Sequence, residues 1–286
     1  MSLAMTDLSA FSPENPLVLA GCGNMGGALL NGWLRSGLSR DAVIIVDPVM
    51  ANAGSAPEGV ACYANVADLG STLSPAMVML AVKPQVMADV AAGYVDMVNR
   101  SNAAVISIAA GVGMDSYQGW FGPSTPLIRV MPNTPSAVGA GMSLLFKNAA
   151  VGDDLATLGE VMLSAVGECI WVRQEAQIDA LVGVTGSGPA YVFLLIECIA
   201  AAAEKTGLNP DDAKLAARQT VYGAALLADQ QPEIDAAELR RRVTSPGGVT
   251  QAALDVLMAP ERGLPDLFPE AMARGERRNA ELSGKA

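Results

Sequence analysis

The sequence predicts an α/β domain built on a doubly wound parallel sheet, followed by an all-α domain. Apolar segments of strand length alternate with helical patterns as far as Arg173, which is the order typical of parallel sheets. Beyond that residue no clear strand pattern occurs, and apolar residues recur at helical spacing. We therefore expect three parts, a loose tail over 1–15, an α/β domain over 16–173 and a helical domain over 174–286.

The α/β pattern begins with an apolar run over 17–20 that leads into Gly21-Cys-Gly-Asn-Met-Gly26. In a dinucleotide-binding turn, Gly21 would form the tight turn, Gly23 would let a pyrophosphate approach the backbone, and Gly26 would pack a helix against the strand. A helical pattern and a second apolar run follow and end in Asp47, about twenty residues after the last glycine. A glycine-rich turn without a ligand is the alternative, but the complete β-α-β unit favours a Rossmann-type dinucleotide-binding domain.

Further segments of strand composition follow in order, at 42–47, 59–63, 77–82, 104–108, 126–131, 144–146 and 168–172. Ligands of doubly wound sheets bind at the carboxyl ends of the strands. Breaks fall at three of these ends, at Lys83-Pro84, at Ala109-Ala-Gly111 and at Pro132-Asn133. Each break alone could simply end a strand, but three at one predicted edge favour a binding site.

The second half of the chain has six helical patterns, at 178–184, 190–205, 211–228, 236–243, 250–258 and 265–281. The segment 190–203 is apolar nearly all round, so it must be buried on every side. A domain of this size cannot easily bury such a helix by itself. We therefore expect a homodimer through the helical domain, with an ordinary central core helix as the alternative.

Composition excludes several classes of function. With 51% apolar residues and a formal net charge of −11, the chain is globular, and we expect neither a nucleic-acid nor a membrane-surface partner. The longest apolar run is shorter than the roughly 18 to 20 residues of a membrane helix, and no signal-peptide pattern precedes Arg35. The four cysteines lack the Cys-x-x-Cys spacing. We therefore expect reduced thiols, a cytoplasmic location and no metal site.

Six motifs follow one another along the chain: Gly21-Cys-Gly-Asn-Met-Gly26, Ala81-Val-Lys-Pro-Gln85, Ser107-Ile-Ala-Ala-Gly111, Arg129-Val-Met-Pro-Asn-Thr-Pro135, Val184-Thr-Gly-Ser-Gly-Pro-Ala-Tyr191 and Val243-Thr-Ser-Pro-Gly-Gly-Val-Thr250. In order and spacing, from about residue 16 to residue 284, they make the chain resemble the pyrroline-5-carboxylate reductases. The resemblance implies reduction of 1-pyrroline-5-carboxylate to L-proline with NADPH or NADH, the last step of proline biosynthesis. It also implies a Rossmann domain followed by a helical domain that intertwines into a dimer, often assembled further into decamers.

The predicted cofactor site combines the resemblance with local reasoning. The resemblance implies contacts from the glycine turn and from the loops after two later strands, and we add Asp47 and Asn65. The predicted cofactor-binding residues are Gly21, Cys22, Gly23, Asn24, Met25, Gly26, Asp47, Asn65, Ala81, Val82, Lys83, Pro84, Ala109, Ala110 and Gly111. Asp47 stands where a carboxylate accepts hydrogen bonds from the ribose hydroxyls and repels a 2′-phosphate. Because no Lys or Arg occurs between Asp41 and Val82, we predict measurable NADH use that can exceed the use of NADPH, the cofactor usually assigned to the family.

The resemblance also implies the substrate site. The predicted substrate-binding residues are Ser245, Gly247, Gly248, Val249 and Thr250, whose backbone amides would hold the carboxylate. The Thr250 hydroxyl would bond the ring nitrogen, and Thr250 is the predicted catalytic residue. The family commonly has a second threonine where this chain has Val249, a minor departure because that position mainly offers backbone. From the residues alone, a helix-start turn is the alternative for this loop, and a solvated helix end is the alternative for the adjacent 240–242 arginines.

The chain contains no histidine, which excludes every mechanism that needs an imidazole. Hydride delivery to a carbonyl needs a proton donor, usually His or Lys, whereas an imine already protonated in water needs none. The related β-hydroxyacid dehydrogenases place a catalytic lysine and an asparagine after a Gly-Ser-Gly, where this chain has Val192 and Ile196. Two alternatives stay open, a reductase of another small anionic imine or hydroxy acid, and a nucleotide-binding regulator without catalysis.

Overall fold

The computed structural model describes residues 8–282. Within them the chain forms two compact units, one made of 8–186 and 276–282, the other of Ser187–Gly275. The first unit holds an eight-stranded sheet with strands β1 (Leu17–Ala20), β2 (Val43–Val46), β3 (Ala61–Tyr63), β4 (Met77–Leu80), β5 (Ala104–Ser107), β6 (Leu127–Met131), β7 (Gly141–Lys147) and β8 (Gly167–Trp171). Its helices are α1 (Asn24–Arg35), α2 (Pro48–Ala53), α3 (Met87–Ser101), α4 (Met114–Phe121), α5 (Asp153–Ser164) and α6 (Ala176–Leu181).

The strand order is β3-β2-β1-β4-β5-β6-β7-β8, so the sheet grows outward in both directions from β1 and β4. Every predicted strand segment is present, and the predicted α/β class is confirmed. One detail differs, because β7 runs antiparallel to β6. Only the short segment 132–140 joins these strands, and a parallel crossover needs a dozen or more residues, usually a helix. β8 then pairs parallel with β7 after the helix α5.

The sheet has an apolar core on each face. Successive side chains of a strand point to opposite faces, and in β1 Leu17 and Leu19 join one buried cluster while Val18 and Ala20 join the other. Trp33 lies in the first cluster, and its Nε1 donates to the Met162 carbonyl oxygen at 2.8 Å, which ties α1 to α5.

Part of the predicted tail packs against the first of these clusters. Residues 1–7 lie outside the described part of the chain. Leu8 and Phe11, within the tail expected to be loose, are 5% exposed and belong to that cluster. Apolar side chains removed from water in this way hold their segment against the sheet, so the predicted tail is anchored at Leu8 and Phe11, whereas most of the other residues over 9–15 are exposed.

The second unit contains helices only, α7 (Gly188–Lys205), α8 (Pro210–Asp229), α9 (Ala236–Arg242) and α10 (Val249–Leu257), with the start of α11 (Leu264–Leu282). In the single chain α7 is poorly buried, because Phe193 is 58% and Leu194 57% exposed. No helix within residues 8–282 is long and apolar enough to cross a membrane.

Candidate active site

The loops after the central strands begin at the same level of one sheet edge. Gly21 N donates to Val46 O at 2.9 Å, and Ala81 N donates to Ala20 O at 2.8 Å, so the parallel ladder continues one residue past the strand ends. Asp47 N likewise donates to Tyr63 O at 3.0 Å. The predicted cofactor residues directly follow the carboxyl ends of β1, β2, β3, β4 and β5. The fold thus brings together the segments that the sequence singles out.

The three glycines of the first turn have different surroundings. Gly21 has a positive φ of +88°, and a Cβ there would lie 2.8 Å from Ala81 O. A Cβ on Gly26 would lie 2.4 Å from Gly21 O, so only glycine lets α1 approach the turn. A Cβ on Gly23 would meet nothing within 4 Å. The backbone at Gly23 is therefore open, which leaves room for a phosphate group.

The start of α1 is suited to an anion. Gly23 is the N-cap residue and has no side chain to cap the helix. The first amides of an α-helix have no acceptor within the helix, and the helix dipole adds partial positive charge there. A pyrophosphate can satisfy these amides. The open backbone and uncapped amides together fit the dinucleotide that the glycine spacing predicts.

Asp47 occupies the N-cap of α2 and reaches back to the glycine turn. Its Oδ1 accepts from the backbone amides of Val49 and Met50, both at 2.9 Å. Its Oδ2 accepts from Cys22 N at 2.8 Å. Burial, followed by the charge of Asp47, raises the pKa of the Cys22 thiol to about 11. The carboxylate thus has a structural role that the sequence pattern did not reveal.

Asn65 and Lys83 both lie at the turns that follow strands. Asn65 is exposed and precedes a 3₁₀ turn over Val66–Asp68, and its backbone amide donates to Asp68 Oδ2 at 3.0 Å. Lys83 is exposed and precedes a 3₁₀ turn over Pro84–Val86, which leads into α3. Pro84 is the first residue of this turn, a position at which its fixed φ is well tolerated.

Hydrogen bonds of two hydroxyl groups fix the loop that follows β5. Ser107 Oγ lies 2.5 Å from Tyr117 Oη and accepts from Ala109 N at 3.3 Å. Both side chains are buried, and burial raises the pKa of Tyr117 to about 12. The loop residues 109–111 have small side chains or none, so this bond network fixes a backbone that could not anchor itself.

A buried arginine that the sequence analysis did not assign to the site braces the same region. Arg129 in β6 has a side chain only 2% exposed and pairs with Glu175 and Asp179, each at 2.7 Å. Glu175 Oε1 also accepts from Met114 N at 2.7 Å, at the start of α4. A charge within an apolar strand requires partners, and two acidic residues four positions apart share one face of a helix. Those two signals together could have predicted the pairing.

Asn133, at the third break of the predicted edge, is structural. Its Nδ2 donates to Thr185 O at 2.9 Å, and its Oδ1 accepts from Met142 N at 2.9 Å. The side chain is buried. Both ends of the amide are therefore used to join β6 to β7 and to the segment before α7, so this break is better explained as a strand terminator.

The predicted substrate loop lies in the second unit and forms a tight turn. Gly248 N donates to Ser245 O at 2.9 Å, and Gly247 has a φ of +68°. Proline at the second position and a left-handed glycine at the third are typical of a type II turn. The turn delivers the chain into α10, whose N-cap Gly248 has no side-chain cap. Thr250 is exposed in the first turn of that helix.

The arginines before this loop are engaged elsewhere. Arg241 Nε donates to Glu238 Oε2 at 2.9 Å, and Arg242 Nε donates to Glu238 Oε1 at 3.1 Å. These hydrogen bonds, first that from Arg242, lower the pKa of Glu238. Arg240, Arg241 and Arg242 form the last turn of α9, where cations interact favourably with the helix dipole. The solvated helix end is therefore the better interpretation of 240–242.

The sheet edge, the glycine turn and the helical second half define a class of protein, a dinucleotide-dependent oxidoreductase with a Rossmann domain. A family model described as NADP oxidoreductase, coenzyme F420-dependent, matches residues 17–111. A second model, pyrroline-5-carboxylate reductase dimerisation, matches residues 175–282.

Whole-length relatives identify the family. A pyrroline-5-carboxylate reductase of Pseudomonas aeruginosa is 36% identical over 93% of this chain and 96% of that protein. The Escherichia coli pyrroline-5-carboxylate reductase is also 36% identical, over 94% of this chain and 99% of that protein. A solved pyrroline-5-carboxylate reductase from Coxiella burnetii matches with a TM-score of 0.87 and 35% identity, covering 94% of this chain and 98% of that one. The chain belongs to the pyrroline-5-carboxylate reductase family.

Proposed function

We propose that the protein reduces 1-pyrroline-5-carboxylate to L-proline with NADPH or NADH, the last step of proline biosynthesis. The observation that carries this proposal is the match to pyrroline-5-carboxylate reductases along nearly the whole chain, 93% in the Pseudomonas aeruginosa case. The absence of histidine supports imine reduction over carbonyl reduction, because a protonated imine needs no proton from the protein. The same chemistry makes a hydroxy-acid substrate the weaker alternative.

The residues of the first unit would hold the cofactor, which supplies a hydride when it is bound. The open backbone at Gly23 and the uncapped amides of α1 would bind its pyrophosphate. Asp47 would accept a hydrogen bond from a ribose hydroxyl. The backbone at 81–84 and 109–111 would complete the site, held in position by the ladder and by Ser107.

The residues of the second unit would hold the substrate. The first amides of α10 are uncapped and would bind the carboxylate, since helix starts favour anions. The Thr250 hydroxyl would bond the ring nitrogen and orient the imine. No general acid is required of the chain, so its part is orientation and electrostatic stabilisation.

Assembly and location complete the proposal. The matched dimerisation model covers α7, and exposed apolar residues such as Phe193 and Leu194 support burial of this helix between two copies. We propose a dimer, assembled further into a decamer. We also propose that 16–173 binds the dinucleotide and that 174–286 provides the dimer and substrate contacts. The four described cysteines are free, which supports the reducing cytoplasm as the location.

The experiment compares purified wild-type protein with Thr250→Ala and Thr250→Ser. NADPH and NADH oxidation is followed with 1-pyrroline-5-carboxylate, and cofactor Kd is measured separately. Loss of a hydrogen bond to a charged group costs about 1.5–3 kcal/mol, so kcat/KM of Thr250→Ala should fall roughly 10- to 150-fold while cofactor Kd stays unchanged. The serine variant keeps the hydroxyl and should retain most activity.

A matched control separates the site from general damage. Thr157→Ala removes an exposed hydroxyl that bonds only the Asp153 carbonyl of its own helix at 2.9 Å, and it should leave kcat/KM unchanged. Full activity in Thr250→Ala would support the proposed reductase function but would show that Thr250 is not the catalytic residue. Cofactor binding by the wild-type protein without turnover would instead support a nucleotide-binding regulator.

A further inference from the structure

We infer that Asp47 makes this chain select NADH over NADPH, because its carboxylate is fixed by backbone amides at the predicted ribose position. The inference rests on the proposed function, in that it concerns the cofactor of that same reaction. One residue and its backbone anchors thus decide between the two cofactors.

Three backbone amides anchor the carboxylate of Asp47, which is partly buried. Oδ2 accepts from Cys22 N at 2.8 Å, and Oδ1 accepts from Val49 N and Met50 N at 2.9 Å each. Hydrogen bonds to an ionised acceptor are about twice as strong as neutral ones. A rotation of the side chain away from the site would leave these amides without their acceptor. The negative charge therefore stays at this position when a cofactor approaches.

One acceptor position of the carboxylate is still available. A carboxylate offers about four lone-pair sites, and the three backbone amides occupy two on Oδ1 and one on Oδ2. The remaining site on Oδ2 can accept from a ribose hydroxyl, as NADH requires. A 2′-phosphate has no proton to donate when fully ionised and brings like charge to the same place. NADH gains a hydrogen bond where NADPH meets repulsion.

The chain segments on either side of Asp47 supply no cation to offset that repulsion. The sequence from Asp41 to Val82 contains no Lys or Arg, whereas NADPH sites of this type use an arginine near the acidic position. Arg40 precedes β2 and donates to Glu58 O at 2.8 Å, at the opposite end of a strand about 13 Å long. Lys83 follows β4, and β1 lies between β4 and β2 in the sheet. Two strand spacings, about 10 Å, therefore separate the backbone at Lys83 from that at Asp47 along the edge.

The experiment measures binding first and turnover second. Kd values of NADH and NADPH are determined by calorimetry on the intact protein without substrate, and kcat/KM is then measured for each cofactor. The wild-type protein should bind NADH at least about tenfold more tightly than NADPH. A Kd ratio of this size is typical when one favourable contact is exchanged for one repulsion. Asp47→Ser keeps a good N-cap residue while it removes the charge, and it should bring the Kd ratio close to one.

Two further variants sharpen the test. Val49 is 78% exposed beside Asp47, so Asp47→Ser combined with Val49→Arg should reverse the preference by supplying a phosphate partner. Asp41→Asn is the matched control, because it removes one carboxylate charge from the other end of β2, where Asp41 is exposed and bonds Ser39. It should leave the ratio unchanged.

Each outcome decides between the inference and the proposed function. A wild-type protein that binds NADPH as tightly as NADH, or more tightly, overturns the inference, and so does a shift in Asp41→Asn as large as that in Asp47→Ser. If a protein with either result still reduces the pyrroline, the proposed reductase function stands. NADH-selective binding without any turnover retains the inference and rejects the proposed function, and failure to bind either cofactor rejects both.

Discussion

Gly26 and Gly27 stand side by side in α1, and alanine at the two positions should have opposite effects. A Cβ on Gly26 would lie 2.4 Å from the carbonyl oxygen of Gly21 and 3.3 Å from the Ala81 methyl group. Neither neighbour is the end of a flexible side chain, so the backbone itself must move. A Cβ on Gly27 has Cys22 O as its nearest neighbour, at 3.8 Å, which is ordinary contact.

The displacement sets the size of the effect. To bring the Gly26 contact from 2.4 Å to the ordinary 3.4 Å, α1 and the glycine turn must separate by about 1 Å, which is overpacking that costs about 1–3 kcal/mol. Such a shift falls on the backbone proposed to bind the pyrophosphate. We expect Gly26→Ala to raise the Kd of NADH and NADPH roughly 10- to 150-fold, because the loss of hydrogen bonding to a charged group costs about 1.5–3 kcal/mol. Gly27→Ala should leave Kd within about twofold and add about 1 kcal/mol of helix stability.

Calorimetric titration of each cofactor gives the Kd values, and thermal unfolding at fixed protein concentration gives the stability. Both variants must retain the wild-type circular dichroism spectrum for the comparison to count. Two results would refute the reasoning. One is a Gly26→Ala variant whose Kd equals that of the wild type, and the other is a Gly27→Ala variant that loses as much affinity as its neighbour.

Three further predictions concern the support of the two sites. Arg129→Met should lower the free energy of unfolding by about 2–4 kcal/mol, somewhat less than for a fully buried pair, because Glu175 and Asp179 are about a fifth to a quarter exposed. Urea denaturation measures this free energy. As a check, adding Glu175→Gln and Asp179→Asn to Arg129→Met should restore part of the lost stability, because no charge is then left without its partner. Burial holds the Cys22 thiol protonated up to a pKa of about 11, so its iodoacetamide labelling, followed by mass spectrometry, should rise with pH until about 11 rather than level off near 9. Gly247→Ala must adopt a φ of +68°, which costs about 1–2 kcal/mol, and kinetics should show a raised KM for the pyrroline with unchanged cofactor Kd.

The sequence could predict those parts of the fold that depend on local patterns. Most strands are short apolar runs, and the helical patterns over 190–205 and 211–228 agree with α7 and α8 to within two residues. The positions of the loops at the edge followed from the parallel order alone. The antiparallel β7 was missed because its direction depends on the length of the connection over 132–140 rather than on its own composition.

The support of the candidate site was harder to predict because it joins residues far apart in the chain. Glu175 receives the amide of Met114, 61 positions earlier, and the guanidinium of Arg129, 46 positions earlier. Near Arg129 the sequence shows only one charge within an apolar strand, and its two acidic partners lie 46 and 50 positions further on. Small residues line the loop over 109–111, which lets a ligand approach closely but leaves no side chains to fix the loop. The fold therefore fixes it from outside, through Ser107 on one flank and Glu175 on the other. It follows that the family motifs contain supporting residues such as Ser107 and Arg129 as well as residues proposed to touch the ligand, and that the supporting role becomes visible only through partners such as Glu175, which lie far away in the chain.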